Sequence, residues 1–230
     1  MITTNKKLLL GISVRKPPTT PEQDEQTKAL FKGTCDFCGI PIGEHMRFTH
    51  NHNGGWYNSC TLCFHYEHLD LIPHYRRGEF VYWNGINQEQ FNIFYTCIWS
   101  MQHIERQFNV DIDYEENVEE MRRLEKGMEY KSEPIKSFFM GGDQKQISSV
   151  SPDVVANYLN VLSDENYHQR HKMFSAFLWV PPKAIFNDEI AYWAKNAYHN
   201  MGSESIKGLM SSFSARFGLE VSDNNGIIEA

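Results

Sequence analysis

The sequence predicts an α+β protein in which a small metal-binding module is embedded in a mostly helical domain, and three observations carry that expectation. Two CxxC knuckles, Cys35-Asp36-Phe37-Cys38 and Cys60-Thr61-Leu62-Cys63, stand 21 residues apart, a spacing at which two thiolate pairs can fold toward each other. Phe91, Phe94, Tyr95, Ile98, Trp99, Met101 and Ile104 repeat mostly every three or four positions, the period of a helix with one apolar face. Two short runs bounded by turn residues, one around Asn53-Gly54-Gly55 and one at Glu79–Trp83, carry the strand signal.

The elements follow in order. Leu8 to Val14 reads as a strand and Pro17-Pro18-Thr19-Thr20-Pro21 as a linker. Glu22 to Phe31 reads as a helix with Thr20 as N-cap and Pro21 in its first turn. Between the knuckles, Met46 to Tyr57 reads as a hairpin or loop, and the second knuckle opens a helix. The turn Asn84-Gly85 closes the strand at Glu79 to Trp83. Asn87 then caps the central core helix, with Gln90 three residues on. Residues 111–133 form a more exposed acidic helix with Tyr114, Val118, Met121 and Leu124 inward. Met140-Gly141-Gly142-Asp143 breaks the chain. Ser151-Pro152-Asp153 starts another helix, Pro181-Pro182 ends the next segment, and Ile185 to Tyr198 is a last amphipathic helix. The organisation expected is therefore residues 1–33 as an N-terminal strand and helix, 34–75 as a four-cysteine zinc module, 76–200 as a helical core with a β segment, and 201–230 as a mobile, Gly/Ser-rich tail.

Chemistry begins with Cys35, Cys38, Cys60 and Cys63. Four thiolates close a tetrahedral Zn²⁺ site with no open position for water, so the expected cofactor is one structural zinc. The same residues can also be written as two disulfides or as redox pairs. The chain opens Met1-Ile2-Thr3-Thr4-Asn5-Lys6-Lys7 before only three leucines, too short for the apolar core of a signal peptide, and a reducing compartment disfavours disulfides. Redox CxxC motifs usually come singly. Cys97, inside the apolar helix, is expected to be an inert buried thiol.

Charge narrows the partners. The net charge is −7. Residues 111–133 hold nine acids against four bases, a balance of −5, so the remainder is near neutral. The basic face that neutralises phosphates is missing, and nucleic acid is not an expected partner. Composition is ordinary for a soluble globular protein, at 41% hydrophobic and 22% charged, and no stretch approaches the roughly 18 apolar residues of a membrane span.

Six of the ten histidines (His45, His50, His52, His65, His68, His74) fall between or shortly after the knuckles, which invites a metal-dependent HNH nuclease as the alternative function. There His50 or His52 would be the general base and His65 or His68 a helical ligand of a second metal. The register is against it. No Asp precedes His50 or His52, the hairpin-to-knuckle loop is short, Asn58 lies two residues before Cys60, and Phe64 stands directly after the second knuckle where the nuclease pattern has His.

A family resemblance covers roughly residues 30 to 200. Cys35-Asp36-Phe37-Cys38-Gly39, Cys60-Thr61-Leu62-Cys63-Phe64 and the stretch Gly78-Glu79-Phe80-Val81-Tyr82-Trp83-Asn84-Gly85-Ile86-Asn87-Gln88-Glu89-Gln90-Phe91 resemble the DotN (IcmJ) component of Dot/Icm type IVB secretion systems. Met173 to Phe186, with its Pro181-Pro182 turn, and Ile190, Trp193 and Ala194 of the closing helix resemble the family too. The resemblance implies a degenerate HNH-nuclease-like fold with a zinc site at Cys35, Cys38, Cys60 and Cys63 and no catalytic residues. It also implies a non-catalytic adaptor, cytoplasmic and peripheral at the inner membrane. Such an adaptor binds the C-terminal tail of the type IV coupling ATPase and other coupling-complex subunits, in protein secretion or in related conjugation systems. The acidic segment and the tail have no counterpart in that pattern.

Overall fold

The computed structural model describes residues 7–73, 77–108, 110, 112–129, 135, 138–139, 150–217, 219–221 and 227–229. Helix α1 (Pro21–Ala29) starts as the sequence expects. Thr20 accepts from Gln23 N–H, Gln23 reaches back to Thr20 N–H, and Pro21 sits in the first turn, completing a capping box. Strands β1 (Phe48–His52) and β2 (Gly55–Ser59) pair as an antiparallel hairpin. Its two-residue turn holds Asn53 at φ 48° and Gly54 at φ 82°, the left-handed pair that matches strand twist in a tight hairpin. Helix α2 (Thr61–Glu67) follows at once and packs on both strands.

Strand β3 (Glu79–Tyr82) leads through Asn84-Gly85 into the core helix α3 (Gln88–Gln107), whose cap is a second box, Asn87 with Gln90. Phe91, Phe94, Cys97, Ile98 and Met101 are fully buried along it. Helix α4 (Ile112–Glu129) is the acidic one. It turns Val118, Met121 and Leu124 onto α3, and Glu125 accepts from Trp99 Nε1 and Gln102 Nε2, both at 3.0 Å. Three short helices follow, α5 (Pro152–Val161), α6 (Asp164–His168) and α7 (Arg170–Met173). Ser151 precedes α5 with extended backbone but no side-chain cap. Strand β4 (Phe177–Val180) pairs antiparallel with β3. After Pro181-Pro182 come α8 (Asn187–Trp193), extended by a π-helical turn at Ala194–Tyr198, and then α9 (Ser203–Phe217) and the short strands β5 (Leu219–Val221) and β6 (Ile227–Glu229).

The chain is thus mixed helix and sheet, with small two-stranded sheets among packed helices. One apolar core runs from Leu8 to Phe213 and includes Cys35, Cys38, Cys60 and Cys63. No described helix is long and apolar enough to cross a membrane.

Two expectations are corrected and one strand is added. Leu8 to Val14 is not a strand: it runs extended and then turns through a 3₁₀ segment at Ser13–Arg15. Its backbone N–H groups go mainly to side chains, Leu8 to Glu89, Leu9 to Glu67 (2.9 Å) and Ile12 to Tyr167 (3.2 Å), while Gly11 reaches Tyr66 O at 3.2 Å. Alternating burial at Leu8, Leu10 and Ile12 gives the sequence a strand's pattern without a strand's partner. Phe177 to Val180 forms a strand that no local sequence pattern announces. Residues 203–217, expected to be mobile, form α9, with Ile206, Met210 and Phe213 buried at helical spacing. The expected break at Met140–Asp143 lies outside the described residues.

Candidate metal centre

Two locally encoded turns build the centre. In the first, Cys35 N–H donates to Ile40 O and Gly39 N–H returns to Cys35 O, both at 2.9 Å, with Gly39 at φ 74°. That left-handed conformation is open to glycine at little cost. In the second, Cys60 is the N-cap of α2 and Cys63 N–H lies 3.4 Å from Cys60 Sγ. Asp36 clamps the two together: its N–H donates to Asn58 O and its carboxylate accepts from Asn58 N–H, each at 2.8 Å.

The sulfurs of Cys35, Cys38, Cys60 and Cys63 therefore converge, all within 4.8 Å of one another and all buried. A tetrahedron with metal–sulfur bonds of about 2.3 Å has edges of about 3.8 Å, and Cys38 Sγ lies 3.8 Å from Cys60 Sγ. Disulfide bonds need about 2.05 Å, and all five cysteines are free. Four buried thiols at this spacing can hold one metal ion, and the donor set is compatible with zinc.

Burial pushes the Cys38 and Cys63 thiols well above their ordinary range. Burial opposes ionisation of Cys35 too, but hydrogen bonds from the other three thiols outweigh it and hold Cys35 well below that range. A cluster of thiolates in a dry site is tolerable only with positive charge at its centre. One neutral donor adds to the turns. Asn92, on α3, aims Nδ2 at Cys63 Sγ from 3.3 Å. Its orientation is fixed because Oδ1 accepts from Gln88 Nε2 (2.8 Å), and Gln88 exchanges two hydrogen bonds with the Trp179 backbone (2.8 and 3.0 Å). Outer donors of this kind tune a metal's affinity. Cys97 stands apart on α3, its thiol pushed up to about 12 by burial.

His50, His52 and His68 gather around Glu67. Glu67 is fully buried, and it accepts from Leu9 N–H (2.9 Å), His52 Nδ1 (2.8 Å) and Lys16 Nζ, with His50 Nε2 at 3.3 Å. Burial works against its charge, yet His50, His52 and Lys16 hold its carboxyl well below the usual range. His50 also contacts Ser59 Oγ at 3.0 Å and stacks on Phe37, and His68 donates to Phe64 O at 2.8 Å and stacks on Phe64. Burial lowers the His50 imidazole and takes His68 down to about 3, with the charges of Lys16 and His50 adding to the effect on His68. His65 is buried on α2 near Trp179, His45 lies beside Tyr192, and His74 lies outside the described residues.

All four expected ligands therefore meet. Lys16, Glu67 and Asn92 could not be found from spacing, because each reaches its partner across 15 or more residues. No protein-family model matches the chain, and no curated protein matches it.

Proposed function

We propose that this chain is a non-catalytic adaptor built on one structural zinc, serving a type IVB secretion or conjugation coupling complex by holding the C-terminal extension of its coupling ATPase. The observation that carries the reading is the division within the β1–β2–α2 unit. The strand-strand-helix order supports an HNH-like module. Its thiol end has the geometry of a closed four-ligand zinc site, which leaves no position for substrate. Its histidine end is engaged internally: His50 and His68 are 2% and 5% exposed and packed against Phe37 and Phe64. A general base has to reach its substrate, and among the described residues the only cluster with metal-ligating geometry is the four cysteines. Both points favour a binding module over a nuclease.

An adaptor also needs a surface. Tyr82, Phe138 and Met173 are exposed by 38%, 48% and 40%. Tyr82 and Phe138 both pack on Phe177 of β4, and Phe138 also on Tyr158 of α5. Aromatic anchors of this kind suit a peptide laid in a groove.

Capture of the full chain by the immobilised C-terminal extension of the coupling ATPase tests the reading. Binding is expected, with at least a tenfold loss on Phe138→Ser or Tyr82→Ser. Failure to bind would overturn it. So would plasmid cleavage in Mg²⁺ or Mn²⁺ that disappears with His50→Ala or His52→Ala, which is the outcome the HNH nuclease alternative requires.

A further inference from the structure

A cavity of about 250 Å³ opens beside Glu67, between the segment Arg15-Lys16-Pro17, the β1–β2 turn and helices α6 and α7. With liquid water taking about 30 Å³ per molecule, it has room for roughly eight waters. Its walls carry three cations, Arg15, Lys16 and Arg170, against two carboxylates, Glu67 and Asp164. In a chain of net charge −7, this is a local excess of positive charge.

The pairings show which cation is left over. Lys16 is bound to Glu67, which is fully buried. Arg15 is bound to Asp164, whose side chain is 87% exposed, and donates to the carbonyls of Asn160 (3.0 Å) and Leu162 (2.8 Å). Arg170 is 8% exposed and has no carboxylate within ion-pair distance among the described residues. Its Nε and Nη1 donate to Leu10 O (2.6 Å) and Tyr167 O (2.9 Å), and its guanidinium lies over the Tyr167 ring at 4.1 Å. Arg15 approaches the same ring at 5.2 Å. Carbonyl dipoles and a π face satisfy N–H groups and soften the charge, but none of them carries a formal negative charge. A buried cation without a counter-ion is costly, and guanidinium groups match the geometry of oxyanions.

We infer that this cavity is a binding site for a small oxyanion of the phosphate class, either free phosphate or the end group of a phosphomonoester, held by Arg170 and Arg15. Asp164, solvated and at the rim, is the group that an incoming anion displaces from Arg15. Glu67 stays in place because Lys16, His52 and the Leu9 N–H hold it. The inference does not rest on the adaptor reading and stands or falls separately from it.

The test is calorimetric titration of the full chain with inorganic phosphate, and in a second arm with phenyl phosphate, at ionic strength matched with chloride. One site per chain is expected, accompanied by a rise in melting temperature that saturates with phosphate. Arg15→Gln, a change on a surface segment, is expected to weaken binding at least tenfold, and Arg170→Gln to abolish it. Arg122→Gln, on the remote helix α4, should leave it unchanged. If both probes bind, a phosphomonoester is an accepted ligand; if only inorganic phosphate binds, the site is for the free ion. No heat and no melting shift beyond the chloride control with either probe would overturn the proposal. So would binding by correctly folded Arg15→Gln at wild-type affinity.

Discussion

The thiol centre and the Glu67 cluster share helix α2, yet they solve the problem of buried polarity in opposite ways. The Glu67 carboxylate faces a group of opposite sign: Lys16 sits on it and two imidazoles line it. Around Cys35, Cys38, Cys60 and Cys63 the neighbours are other thiols, backbone N–H groups and the amide of Asn92. One cluster is complete as a set of side chains. The other has four acidic groups and no cation of its own. Its four buried thiols stand at a spacing that can hold one metal ion.

Breaking the thiol side should have the largest effect. Cys38→Ser is expected to lose the metal and most of the stability of the region around the knuckles, since binding free energies of small zinc modules are on the order of 10 kcal/mol. Metal content and thermal melting check this together. On the other side, Glu67→Gln leaves Lys16 partly buried without its counter-charge, and a broken buried pair costs about 3–5 kcal/mol. Chemical denaturation should show that loss, and the double variant Glu67→Gln with Lys16→Met should recover part of it. A loss well below 1 kcal/mol would show that Lys16 and Glu67 do not depend on each other for their burial.

The two regions differ in how well sequence alone announces them, and the reason is distance along the chain. The knuckles, the Asn53-Gly54 turn and the capping boxes at Thr20 and Asn87 are local devices, so residue type and spacing suffice to find them. Strand β4 is four apolar residues whose partner β3 lies some hundred positions earlier, and no local period distinguishes it from a buried helical turn. Leu8 to Ile12 has a strand's alternation but donates its N–H groups mostly to side chains of α2, α3 and α6. Helix α9 was hidden by Gly and Ser, although Ile206, Met210 and Phe213 already carry its inward stripe. The four candidate ligands were legible. The Glu67 cluster was not, because Lys16, His52 and Glu67 become neighbours only after folding.

Acid should sharpen the contrast. The His68 imidazole, ordinarily near 6.5, titrates at about 3 in the folded chain, and the Glu67 carboxyl lies well below its ordinary 4.5. In both cases the unfolded chain binds more protons across the interval. The contribution is therefore intact above the unfolded value and is lost as pH falls, from about 6.5 for His68 and from about 4.5 for Glu67. His68→Phe should flatten the decline of stability between pH 6.5 and 4.5 by at most about 1.4 kcal/mol per pH unit. Equilibrium unfolding at several pH values measures the slope; an unchanged slope would show that His68 is not the group responsible.

The smallest effect belongs to the link between the thiol centre and the helical body. Asn92→Leu removes the only side-chain amide that donates to a cysteine sulfur among the described residues. It should lower metal affinity about 10–100-fold while leaving the stoichiometry at one. Competition with a chromophoric chelator reads the difference, and equal affinity would mean that the 3.3 Å contact has no influence on the thiolate.

Metal analysis of the purified chain, followed by melting with and without a strong chelator, tests the central claim most directly. One equivalent of zinc per chain, together with a melting temperature that falls by tens of degrees on chelation and returns when zinc is restored, is the predicted result. Well under one equivalent in a chain that melts at the same temperature with and without chelator would contradict it.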